Sequence, residues 1–152
     1  WDYTVLIYVM TPTGDTLEIG RLITPYANVS RFGWNWQHRY EFDVTDYAYI
    51  LKNNADIRIL YSGYSGGFTA NIKFDFIEGT PPRNVVGIER AWHGYFNYGN
   101  IATLESQLND RTFNMPANAT SAALKLYLTG HGDATSIGAE APQLDEWIAR
   151  GW

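Results

Sequence analysis

Two adjacent prolines, Pro81 and Pro82, set the tightest constraint on this chain. Each has a fixed φ and no N–H, so neither can occupy the interior of a sheet ladder. They sit in Gly79-Thr80-Pro81-Pro82-Arg83, between two stretches patterned like β-structure. Before them, Phe68, Ala70, Ile72, Phe74 and Phe76 fall on one parity, and Thr69, Asn71, Lys73 and Asp75 on the other. That period of two predicts a strand with one buried side. After the prolines the strand-like pattern resumes. Two arrangements fit: a hinge between two β modules, or a sheet-edge loop within one domain.

The rest of the chain reads mostly as short strands and polar turns. Thr4 to Met10 is apolar on both parities, which predicts a strand buried on both faces. Thr11 to Asp15 contains the Pro and Gly of a turn, and Thr16 to Ile23 is the return strand of a hairpin. Residues 27–37 form a loop with Trp34 and Trp36, after which Arg39 to Val44 alternates again. Asp43 or Thr45 is a natural N-cap for a helical turn around Tyr47 to Leu51. Ile57 to Tyr61 is a strand, and residues 62–67 are a Gly- and Ser-rich loop.

Beyond the prolines, Val85 to Trp92 is expected to be extended and residues 92–100 to be an aromatic loop. Arg111 to Met115 predicts a short strand and Pro116 to Ala119 a turn. Ala122, Leu124, Leu126 and Leu128 alternate with Ala123, Lys125, Tyr127 and Thr129, which predicts another strand with the leucine face buried. Residues 130–141 read as a long loop. Pro142 to Arg150 fits a helical turn or a strand. Many short strands and little helix predict an all-β protein, a sandwich or jelly roll.

Composition excludes several function classes. With no cysteine there is no disulfide framework and no thiolate metal site. A net charge of −5 argues against nucleic acid as a partner. No apolar run approaches the ~18 residues of a membrane-spanning helix. Six Trp and eleven Tyr suit β-structure, and they also suit surfaces on which sugar rings stack. His38, His93 and His131 lie far apart, none at metal-ligand spacing, so neither a metal nor another cofactor is expected. Ser65 lacks the first Gly and the strand-to-helix context of a nucleophile elbow. Gly130-His131-Gly132-Asp133 fits either an exposed imidazole or a turn that needs two glycines. Asp2 follows Trp1, and Glu146 precedes Trp147. A carboxylate held against an indole in an apolar cleft has a raised pKa and can act as acid or base.

Three longer blocks carry a resemblance. Glu18-Ile19-Gly20-Arg21-Leu22-Ile23-Thr24-Pro25-Tyr26, Phe42-Asp43-Val44-Thr45-Asp46-Tyr47 and Phe74-Asp75-Phe76-Ile77-Glu78-Gly79-Thr80-Pro81 resemble the bacterial peptide-N-glycosidase F family, in words and in spacing. The likeness continues through Met115-Pro116 and Ala122 to Thr129. It implies two antiparallel jelly-roll sandwiches side by side, with residues 1–80 in the first and 81–152 opening the second. It also implies a piece of a longer protein, since the first strands of one domain and most of the other would lie outside; the start at Trp1 without Met agrees.

The implied activity is hydrolysis of the amide that joins N-acetylglucosamine to an asparagine side chain. Trp1-Asp2 resembles the family's Trp-Asp motif, which implies that Asp2 is catalytic. Asp145-Glu146-Trp147 resembles its Ala-Glu-aromatic motif, which implies that Glu146 holds the first sugar and shares in the chemistry. Trp1, Tyr64, His131 and Trp147 would line the substrate. The implied partner is an N-linked glycoprotein or glycopeptide, met outside the cytoplasm, whether secreted or periplasmic, by a monomer with no role for nucleic acid or membrane. The chain departs from the family in three places. The third acid is replaced near Ser62, with Tyr64 as the following aromatic. Tyr3 stands where an Arg follows the catalytic Asp. Leu144 and Ile148 replace the cysteines that flank the glutamate. The second reading is therefore a jelly-roll module that binds glycan or protein without catalysis. A copper monooxygenase on the same sandwich fits poorly with three His and two Met.

Overall fold

A computed structural model of the chain describes residues 3–25, 29–61, 69–94, 96 and 100–129. The chain divides into two compact units, Trp1–Val85 and Val86–Trp152.

The first unit is built on a three-stranded antiparallel sheet. Its strands are β1 (Thr4–Met10), β2 (Thr16–Ile23) and β3 (Ile57–Tyr61), in the order β2-β1-β3. The expected bounds of all three strands hold. β1 is the central strand, which explains its apolar character on both parities: Val5, Tyr8 and Val9 are all buried. The hairpin turn closes with Thr11 N–H donating to Asp15 O at 2.8 Å and Gly14 N–H to Thr11 O at 2.9 Å. Gly14 sits at φ 90°, a conformation that a side chain would strain.

β2 contains a bulge. Ile7 faces Gly20 and Tyr8 faces Glu18, so Ile19 is the extra residue. In a regular strand residues 18 and 21 point to opposite faces. The bulge shifts the alternation by one, so Glu18 and Arg21 share a face. They form a two-pronged ion pair at 2.6 and 2.9 Å. Leu17 and Ile19 are buried in the core instead.

The short helices complete this unit. A 3₁₀ turn, Thr45–Tyr47, runs into α2 (Ala48–Leu51), after an earlier single turn, α1 (Val29–Phe32), inside the expected loop. Neither Asp43 nor Thr45 is the N-cap: that position is Val44, which has no side chain able to accept, and Asp43 one residue earlier takes the first N–H instead, its Oδ1 accepting from Thr45 N–H at 3.0 Å. Tyr47 and Ile50 are buried, and Tyr47 Oη donates to Glu18 O at 3.0 Å. Arg39 to Val44 forms no ladder, yet its side chains alternate between exposed and half-buried. Arg83, from the proline stretch, clasps Asp46 through Nε at 2.6 Å and a terminal nitrogen at 2.9 Å.

Residues 69–77 are irregular rather than a strand. The expected apolar face is uncovered: Phe76 is 68% exposed, and the adjacent Ile77 93%. A period-two strand exists only where a neighbour takes its N–H and C=O groups, and no described segment pairs with this one.

In the second unit the described residues hold one helix, α3 (Ile101–Gln107). Asn100 caps it, with Oδ1 accepting from Thr103 N–H at 3.1 Å. The turn at Pro116 is as expected, closed by Ala119 N–H on Pro116 O at 2.9 Å. Residues 85–92, 111–115 and 122–129 form no ladder. In 122–129 the period of two survives with its faces exchanged. Leu124, Leu126 and Leu128 are exposed, while Lys125, Tyr127 and Thr129 are half-covered. Lys125 lies over the Tyr127 ring, 5.0 Å from its centroid, so the two shield each other. Among the described residues the molecule is mostly strand and irregular chain with few helices, compatible with an all-β protein.

Candidate functional site

The antiparallel order brings three chain segments to one end of the sheet. β1 begins there, and β2 and β3 end there: Thr4 faces Ile23, and Val5 faces Tyr61. Tyr3 and Thr24 lock this end. Tyr3 N–H donates to Thr24 Oγ1 at 2.8 Å, and Thr24 N–H donates to Tyr3 O at 2.9 Å. The Tyr3 ring meets Tyr61 edge to face at 5.3 Å. The Tyr3 hydroxyl is buried with no hydrogen-bond partner among the described residues.

All six residues singled out from the sequence, Trp1, Asp2, Tyr64, His131, Glu146 and Trp147, lie outside the described residues. The first two precede Tyr3 directly, and Ser62, the place of the changed third acid, directly follows Tyr61. The residues that join those positions to the sheet are thus in contact.

A second feature lies at the same end. Rings occupy every second position from 32 to 42: Phe32, Trp34, Trp36, His38, Tyr40 and Phe42. Between them stand Gly33, Asn35, Gln37, Arg39 and Glu41. The sequence signal is the same period of two used for the strands, but α1 and the turn after it divide it. The lower end is anchored. Phe42 lies over Gly20, where an added Cβ would stand 3.1 Å from the ring, so any side chain there needs the ring to give by a few tenths of an ångström. Tyr40 Oη donates to Ile23 O at 2.6 Å. From there the rings touch in series, His38 to Tyr40 at 4.6 Å, Trp36 to His38 at 5.9 Å and Phe32 to Trp36 at 5.5 Å. Trp34 is 88% exposed. Arg31 lies over Phe32 at 5.3 Å, and Arg39 pairs with Glu41.

Two cavities lie elsewhere. One of about 300 Å³, at the opposite end of the first unit's sheet, is lined by Met10, Pro12, Tyr49 and residues 53–56. Partial burial there pushes the Tyr49 phenol above its ordinary pKa. The other, of about 360 Å³ in the second unit, is lined by Arg90, Ala91, His93 and Arg111. His38 and His93 stand with no acidic or imidazole cluster able to hold a metal among the described residues. No described helix is long and apolar enough to cross a membrane.

Comparison with known proteins gives two relatives. The chain is 28% identical over 162 aligned positions to peptide-N(4)-(N-acetyl-beta-D-glucosaminyl)asparagine amidase F of Elizabethkingia miricola, covering 99% of this chain and 43% of that protein. It is 46% identical over 55 residues to an uncharacterized 11.5 kDa protein in the thcD 3' region of Rhodococcus erythropolis, covering 36% of this chain and 46% of that one. The chain thus spans less than half the length of each of these relatives. No protein-family model matches it, and no solved structure does.

Proposed function

We propose that this chain is part of an N-glycan amidase, an enzyme that hydrolyses the bond between N-acetylglucosamine and asparagine in N-linked glycoproteins or glycopeptides. The observation that carries this reading is the likeness to an asparagine amidase along 99% of the chain. The contacts among its sequence blocks support it. Gly20 packs against Phe42 and Tyr47 holds Glu18, so the first two blocks that carry the resemblance brace each other, and Arg83, two residues past the third block, holds Asp46 of the second.

In this reading residues 1–80 belong to one jelly-roll sandwich and 81–152 begin a second, and the protein acts as a secreted or periplasmic monomer. Asp2 takes a proton from water, whose oxygen adds to the side-chain amide carbon. The C–N bond then breaks, the proton goes to the departing nitrogen, and asparagine becomes aspartate. The glycosylamine sheds ammonia in water. Glu146 holds the first sugar, with Trp1, Tyr64, His131 and Trp147 around it. The steps use carboxylates and water alone.

The second reading, a glycan- or protein-binding module without catalysis, draws on the replaced acid near Ser62 and on the exposed rings. A glycopeptide turnover assay on the protein carrying this sequence separates the two. Asp2→Asn should abolish turnover at unchanged thermal stability, and Glu146→Ala should weaken substrate binding and slow turnover. Near-normal turnover by Asp2→Asn would overturn the catalytic role.

A further inference from the structure

We propose that Trp34, Trp36 and His38 form a platform on which a saccharide chain stacks, a binding site for the glycan separate from the residues that act on the amide. The identity of the saccharide as an N-linked glycan rests on the reading above; the platform itself rests on the row's composition, exposure and anchoring.

Three observations point the same way. First, the row is made of rings and contains no aliphatic side chain from 32 to 42. Flat, amphipathic rings stack against the apolar face of a pyranose. Second, the residues between the rings are carboxamides and charges, Asn35, Gln37, Arg39 and Glu41. Sugar hydroxyls need such donors and acceptors beside the ring face. Third, the row is fixed at one end and open at the other. Tyr40 and Phe42 tie it to β2, while Trp36 is 38% exposed and Trp34 is 88% exposed. An indole left this far in water on an otherwise anchored segment is a contact surface waiting for a partner.

Placement adds a role. Tyr40 is bonded to Ile23, at the end of the sheet where β1 begins two residues after Asp2. A glycan whose reducing end is worked on at that end has this row as a neighbouring path for its further sugars.

The test is calorimetric titration of the protein with a free high-mannose N-glycan that keeps its chitobiose core and carries no peptide. Binding is expected, weakened at least tenfold by Trp34→Ala and by Trp36→Ala, with Trp36→Phe in between. Trp34 is so exposed that its removal should leave thermal unfolding unchanged, which keeps the test clear of misfolding. Native affinity in both alanine variants, or no binding of the free glycan, overturns the proposal. Binding of the unglycosylated peptide instead, lost in the same variants, overturns it in favour of a peptide surface. The amidase reading is scored separately by turnover on a glycopeptide bearing only the chitobiose core, which both variants should still process at the native rate.

Discussion

The rings of Tyr3 and Tyr61 meet edge to face, with centroids 5.3 Å apart and planes at 80°. Tyr3 lies just before β1 and Tyr61 ends β3, so one ring contact fixes the two strand ends that lead to Asp2 and to Ser62. An edge-to-face pair adds about 1 kcal/mol beyond the area it buries. Tyr61→Leu keeps apolar area and loses the pair, so urea unfolding should show a loss of about 1 kcal/mol. Tyr3→Phe keeps the ring and removes a buried hydroxyl that has no described partner, so it should cost nothing. A clear loss in Tyr3→Phe would mean that the hydroxyl bonds to a residue outside those described.

Gly20 is one of the positions where the first two sequence blocks touch. A methyl group there would stand 3.1 to 3.3 Å from three atoms of the Phe42 ring. Gly20→Ala should therefore push the ring aside and destabilise the fold by about 1–3 kcal/mol. Phe42→Leu should relieve part of that cost in the double variant. Additive losses in a double-mutant cycle would show that the two residues do not touch.

Tyr49 adds an alkaline dependence to the stability of the fold. Burial disfavours its phenolate and raises its pKa in the folded state. Below about pH 10 the phenol keeps its proton in both states, and pH does not shift the balance. Above that value the unfolded chain loses the proton first, so stability falls as pH rises toward the raised folded pKa. The unfolding midpoint of Tyr49→Phe should fall less than the native one over this range. Parallel curves would show that Tyr49 is not the group responsible.

Much of the first unit was legible because the signals were local. β1 is apolar on both parities, and the turn carries Pro12 and Gly14. The period-two stretches beyond misled for one reason: alternation says that a face wants cover and does not say what covers it. Phe76, Ile77 and Leu124 stay exposed because no described segment lies on them. α3 escaped notice although Asn100 and the helical spacing of Ile101, Leu104 and Leu108 announce it; it is short and buries no residue. The ring row was present as alternation from 32 to 42, but the turn at Trp34 and Asn35 hid its continuity. The catalytic candidates were legible only through family resemblance, since two isolated carboxylates beside tryptophans are weak evidence of chemistry.

The most direct measurement is mass spectrometry of an N-glycopeptide incubated with the protein in ¹⁸O-labelled water. The account predicts free glycan and a peptide with aspartate in place of asparagine, carrying a single heavy oxygen in the new carboxylate. A peptide that keeps one N-acetylglucosamine on asparagine would mean a glycosidic bond was cut. An unchanged glycopeptide would leave a binding module without catalysis. Either result would contradict the amidase.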